Sequence, residues 1–236
     1  MIPSPNSIHP EQIVYEDNHI IIINKLPSEI VQGDKTGDMP LSEKIKNFIK
    51  VRDNKPGNVF CGVIHRLDRP VSGVVIFAKT SKGLSRFNEI LRDKEIEKTY
   101  WAVVKNKPKE PEAHLTHYLL KNEKTNKSKA FNKPVEHALK AELKYKLLAS
   151  SDNYHLLEIK LLTGRHHQIR AQLAAIGSPI KGDLKYGFDR TNKDASIHLH
   201  AYKIEFLHPI KDEKVSVTAK PLNDDPVWKY FVGVVK

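Results

Sequence analysis

Two apolar, β-branched runs, Val59-Phe60-Cys61-Gly62-Val63-Ile64 and Val74-Val75-Ile76-Phe77-Ala78, flank the nine residues His65-Arg66-Leu67-Asp68-Arg69-Pro70-Val71-Ser72-Gly73. Runs this short, bounded by turn residues, predict buried strands. They commit the chain to a sheet and leave a loop between two strands that presents arginine, carboxylate and hydroxyl groups, with Pro70 and Gly73 shaping its backbone. Reactive groups tend to sit on loops held by rigid strands. Asp68 is therefore a candidate reactive carboxylate, although an Asp in such a loop more often caps backbone amides.

The remaining pattern fills in the sheet. Residues 13–25 read as a hairpin turning at Asp17-Asn18, and residues 100–105 as a strand. Residues 141–148 and 154–162 form a second hairpin around Ser150-Ser151-Asp152-Asn153, with further strands at 197–207 and 215–219. Leu41, Ile45, Phe48 and Ile49 recur at helical spacing, giving a helix to about Val51. Ser81 is read as the cap of a second helix with a Leu84, Phe87, Leu91 stripe. The Lys- and Asn-rich residues 121–133 are read as a mobile, solvated loop that could also touch phosphates. Strands outnumber helices and neighbours look hairpin-linked, so the predicted class is α+β with a largely antiparallel sheet. Residues 1–12 are read as a flexible tail and 13–236 as a single domain, although 236 residues also suffice for two small lobes sharing a sheet.

Lys and Arg number 39 against 28 Asp and Glu, a net charge of +11 that favours polyanionic partners. Cys61 is the only cysteine, which excludes an intrachain disulfide and a thiolate metal cluster. The N-terminus lacks a basic segment followed by an apolar one, and no apolar run approaches membrane-spanning length. The expectation is a soluble, cytoplasmic protein.

A second constellation, Thr163-Gly164-Arg165-His166-His167-Gln168-Ile169-Arg170-Ala171-Gln172-Leu173, opens a helix. Thr163 is the predicted N-cap, Gly177 and Pro179 the stop, and Ile169, Leu173 and Ile176 the buried face. Arg170 lies about 100° from Ile169, at the edge of that face, where it either snorkels or reaches into a cleft. Adjacent His166 and His167 point in different directions and lack an i, i+4 partner, so metal binding is not expected.

Together these pieces resemble the RluA-type pseudouridine synthase family. Its signature H-R-L-D-x-x-T-S-G is matched by residues 65–73, and its K-x-Y by Lys98-Thr99-Tyr100. T-G-R-x-H-Q-I-R is matched by residues 163–170 and G-x-P-x-x-G-D-x-x-Y-G by 177–187. L-H-A is matched by Leu199-His200-Ala201, and the opening Y-E-D…N-K by Tyr15-Glu16-Asp17 and Asn24-Lys25. Two departures stand out: Val71 replaces the usual Thr, and Leu26-Pro27-Ser28 follows Lys25 where the family has Pro-x-Gly. Many relatives carry an N-terminal S4-type RNA-binding domain, for which too few residues precede the first hairpin.

The resemblance implies a pseudouridine-synthase fold, with helices flanking the sheet and an active-site cleft across it. It implies an isomerase that breaks the uridine C1′–N1 bond in RNA, turns the base and joins C5 to C1′, without cofactor or metal. Asp68 would be the essential carboxylate, attacking C1′ or removing the C2′ proton. Arg170 would be its cationic partner, and Tyr100 would stack on the flipped base. Arg66 would fill the space the base vacates, and His65, Arg165, His167, Gln168, Lys181, Lys185 and Leu199 are expected to line the RNA path. The implied partner is a structured rRNA or tRNA stem-loop, met by a monomer. A non-catalytic RNA chaperone on the same fold is the alternative, which an intact Asp68, Tyr100 and Arg170 trio disfavours.

Overall fold

Isoleucine at four successive positions, Ile20 to Ile23, is fully buried on both faces of a central strand, the environment such a run requires. In the computed structural model, which describes residues 7–34, 36–222 and 224–235, the chain divides into two compact units. The first comprises the chain up to Ile96 together with Lys203–Leu222, and the second Glu97–Tyr202 with the C-terminal segment.

In the first unit, β1 (Ile13–Glu16) pairs antiparallel with β2 (Ile20–Lys25), and β2 with β4 (Ser72–Ala78), in register from Ile20↔Ala78 to Lys25↔Gly73. The short β3 (Gly62–Val63) also pairs β4, while β10 (Leu199–Leu207), which begins in the second unit, pairs β11 (Lys214–Thr218) here. Helix α1 (Leu41–Arg52) packs Leu41, Ile45 and Ile49 against Ile21, Ile23, Val75 and Phe77. Helix α2 (Ser81–Arg92) covers the opposite layer through Phe87 and Ile90, with Leu84 and Leu91 partly buried.

Antiparallel strands also build the second unit. β5 (Glu97–Val104), β9 (His155–Leu161), β8 (Leu139–Ser150), β6 (Glu112–Asn122) and β7 (Lys127–Phe131) follow one another in that order. Helix α3 (Gln168–Ala175) seats on β6 and β8 through buried Gln172, whose amide donates to the Leu115 and Ala141 carbonyls at 3.3 Å. Helix α4 (Pro226–Val234) packs Trp228 and Phe231 with Trp101, Val103 and Leu156.

Several expectations are corrected. Residues 121–133 are not a loop: they end β6 and form β7, an antiparallel hairpin in register from Tyr118↔Phe131 to Asn122↔Lys127. Thr80, not Ser81, caps α2, its hydroxyl accepting from the Gly83 amide at 3.0 Å. Of the run 59–64, only Gly62–Val63 pairs as strand. Within residues 1–12, Met1–Asn6 lie outside the described residues, but Ile8 is buried and Pro10–Gln12 form a 3₁₀ turn, with the Gln12 side chain donating to Asn24 O and Glu29.

Candidate active site

The strand-to-strand loop folds as a turn, with the Val71 amide donating to the Asp68 carbonyl at 3.0 Å. Beneath it lies Lys25, at the end of β2, with no exposed surface. Its ammonium donates to the carbonyls of Leu26 (2.9 Å), Arg69 (3.1 Å) and Val71 (2.6 Å). Burial holds the Lys25 amine at about 7, although Glu29 and Asp68 work against that shift. The Arg69 carbonyl also accepts from the Ser28 amide at 2.9 Å. Ser28 occupies the left-handed region at φ 69°, which explains a family preference for glycine there. Gly73, at φ 112°, supplies the matching freedom at the other end of the loop.

The side chains around the turn then diverge. Arg69 leaves it to pair with Asp38 and Thr36. Arg66 is exposed and forms no ion pair among the described residues. His65 is half-buried, its Nε2 accepting from the Ile76 amide of β4 at 3.2 Å, so that ring anchors the loop to the sheet. Asp68 is half-buried. Val71 is buried and serves through its backbone amide and carbonyl, groups that a Thr-to-Val change leaves intact.

Tyr100 and Arg170 belong to the second unit. Tyr100 is buried on β5, opposite Ile159. Lys98, two residues earlier on the same strand face, is held by burial at about 8. Arg170 is 5% exposed. Its Nε and one terminal nitrogen grip the two oxygens of Asp183 at 2.7 and 2.9 Å, a bidentate pair whose geometry fixes the guanidinium plane. The guanidinium carbon also lies 5.0 Å from the centroid of the Tyr186 ring. Both partners come from one turn, where the Asp183 carbonyl accepts the amides of Tyr186 and Phe188 at 3.0 Å. Gly182 before it stands at φ 85°, where a Cβ would meet Asn192 at 2.6 Å.

Thr163 is not the cap of α3. The helix starts at Gln168, with His167 left-handed at its N-cap. The Thr163 hydroxyl instead donates to Gln168 Oε1 at 2.8 Å, and Oε1 accepts the Arg165 amide at 3.0 Å, so Gln168 closes the turn before its own helix. Nor is Arg170 at the margin of an amphipathic helix, since every residue from Gln168 to Leu173 is buried. Arg165 is exposed, donating to Lys140 O at 3.1 Å, and Lys185 donates to Asn126 O at 2.9 Å. His166 and His167 stack at 3.8 Å and turn their Nδ1 atoms to different partners, the Ser128 and Tyr186 hydroxyls. The Lys181 ammonium points inward to Asn192 at 2.8 Å, and Leu199 is buried at the start of β10. The expected residues Gln168, Lys181 and Leu199 are therefore built into the scaffold. Lys25, Asp183 and Tyr186, which sequence reasoning gave no role, hold the candidate catalytic groups.

Comparison with known proteins agrees with the fold. A sequence model of the RNA pseudouridylate synthase family matches residues 19–175. The chain is 32% identical to tRNA pseudouridine synthase C of Vibrio vulnificus, over 92% of each chain. It is 35% identical to ribosomal large subunit pseudouridine synthase C of Buchnera aphidicola, over 91% of this chain and 68% of the relative. The fold matches human RNA pseudouridylate synthase domain containing 4 with a TM-score of 0.77 at 19% identity, covering 95% of this chain and 93% of that one. The chain belongs to the RNA pseudouridylate synthase family. It is an isomerase acting on uridine in RNA, on an α+β pseudouridine synthase fold. No helix among the described residues is long and apolar enough to cross a membrane.

Proposed function

We propose that Asp68, Tyr100 and Arg170 carry the isomerisation, and that the substrate is a uridine in a structured tRNA or rRNA stem-loop, met in the cytoplasm by a monomer. The observation that carries this reading is the pinned turn: the carbonyls of Arg69 and Val71, just after Asp68, converge on one buried ammonium, which fixes the backbone that carries the carboxylate. Preorganisation of this kind is what a reacting group needs and what a capping aspartate does not.

In this reading the target base leaves its stack, at a cost of about a few kcal/mol that is smallest in a loop. Exposed Arg66 takes the vacated space, and the Tyr100 ring stacks on the extruded pyrimidine. The Asp68 carboxylate acts on the sugar, as nucleophile at C1′ or as base at C2′. The C1′–N1 bond breaks, the base turns, C5 bonds to C1′, and the C5 proton is lost as N1 gains one. The rearrangement is redox-neutral. Arg170 is the cationic partner of the reaction in this reading, its guanidinium held by Asp183. His65, Arg165, His167, Gln168, Lys181, Lys185 and Leu199 frame the RNA path, Gln168 through the turn it closes and Lys181 through its bond to Asn192. The +11 net charge favours the polyanion in general.

The test is carbodiimide mapping of pseudouridine on unmodified tRNA and rRNA transcripts treated with wild-type protein or Asp68→Asn. New pseudouridine at defined stem-loop positions with wild type alone supports the reading. Transcripts left unmodified by both proteins contradict it. Deuterium at C2′ separates the two routes: a primary isotope effect identifies Asp68 as base, and its absence identifies the nucleophile.

A further inference from the structure

Tyr186 makes more directed contacts than a ring filling a core requires. Its hydroxyl accepts the Ser128 amide at 2.8 Å. The hydroxyl proton is then directed at His167 Nδ1, 2.9 Å away, an assignment that follows from the network. Its ring meets the Arg170 guanidinium at 5.0 Å and the Lys127 ammonium at 5.1 Å. Ser128 belongs to β7, which ends the strand order of the second unit, so its amide needs a partner other than a further strand. The hairpin is tied to the same region twice more: Ser128 Oγ donates to His166 O at 2.8 Å, and Lys185 donates to Asn126 O at 2.9 Å.

From these contacts we infer that Tyr186 is a positioning residue. Its ring sets the Arg170 guanidinium, and its hydroxyl locks that ring to the β6–β7 hairpin and to the left-handed start of α3. The inference rests on the role proposed for Arg170 and extends it: the hairpin's placement is transmitted to the arginine through one side chain. Asp183 grips two nitrogens of the guanidinium, while the Tyr186 ring lies under its central carbon. Since both stand on the turn closed by the Asp183 carbonyl, a displaced hairpin moves the arginine's whole cradle. An RNA strand that seats the hairpin correctly would thereby align the cation, and one that does not would leave it misaligned.

The experiment compares Tyr186→Phe and Tyr186→Leu in the full chain. Phe keeps the ring and loses the two hydroxyl bonds, whereas Leu loses both. With a stem-loop RNA substrate, the single-turnover rate is expected to fall about 3–10-fold in Phe and by a further tenfold or more in Leu, with KM within about twofold of wild type. Ser128 amide exchange is expected to quicken several-fold in both variants, and the ring-shifted Arg170 Nε–H resonance to persist in Phe and move in Leu. Wild-type rates in both variants overturn the inference. So does a rate loss with the Ser128 exchange and the Arg170 resonance unchanged. Wild-type protein unable to isomerise uridine would remove the proposed function alone. The exchange and the resonance would then decide whether Tyr186 cradles Arg170: changes in Leu support it, and none overturns it.

Discussion

Lys25 sits where a cation is least at home. Burial lowers its pKa from the usual 10.5 to about 7, and its three hydrogen-bond partners are all main-chain carbonyls. The sign of the resulting pH dependence follows from proton counting. Between pH 7 and 10.5 the unfolded chain binds the proton that the folded chain has released, so stability rises with pH in that window. Urea unfolding of wild type and Lys25→Met should show the difference in stability shifting towards wild type from pH 7 to 10; a constant difference contradicts the assignment. Ser28 carries its cost in the backbone, at φ 69°. Its left-handed backbone tolerates serine and disfavours a β-branched side chain, so Ser28→Val should lower unfolding stability by about 1–2 kcal/mol and Ser28→Gly should not. An equal response to Val and Gly would show that the backbone at residue 28 is not strained. Neither residue's role is legible in the sequence. Asn24-Lys25 reads as a motif end, and only the register Lys25↔Gly73 brings the ammonium under the loop.

At the level of elements, the strands read best where β-branched runs are buried on both faces, as in β2 and β4. The β6–β7 hairpin escaped because Lys127-Ser128-Lys129-Ala130-Phe131 has the composition of a solvated loop, yet edge strands favour lysine because it discourages further pairing. Thr163 misled for a different reason: the turn before α3 is closed by the Gln168 side chain, a contact five residues long that capping rules do not anticipate. Helix α4 had its signal in plain view, with Asp225 as N-cap and Pro226 at the first helical position. Asp225 Oδ1 accepts the Val227 and Trp228 amides at 2.9 and 3.1 Å and lies 2.9 Å from buried His198 Nε2. Asp225→Ala removes a cap and strands a buried imidazole, for an expected loss of about 2–3 kcal/mol on thermal or urea unfolding. A loss below about 0.5 kcal/mol would mean that α4 does not depend on its cap.

For the molecule as a whole, motif order carried what periodicity did not. Asp68, Tyr100 and Arg170 lie far apart in sequence, and it is their ordered match to one family that singles them out; hydrophobic patterning alone favours a capping Asp and a snorkelling Arg. What no motif supplied is the supporting chemistry of Lys25, Asp183 and Tyr186, which depends on tertiary register. The net charge of +11 predicts that RNA binding is phosphate-dominated. Binding should survive Asp68→Asn and weaken at least about tenfold between 50 and 200 mM salt, as read by filter binding. Salt-independent affinity would argue against that interface. The central claim, that this chain isomerises uridine through the Asp68 carboxylate, is tested most directly by tritium release from RNA labelled at uridine C5. Stoichiometric release by wild type with none above background for Asp68→Asn is the predicted result, and release by Asp68→Asn at the wild-type rate would contradict it.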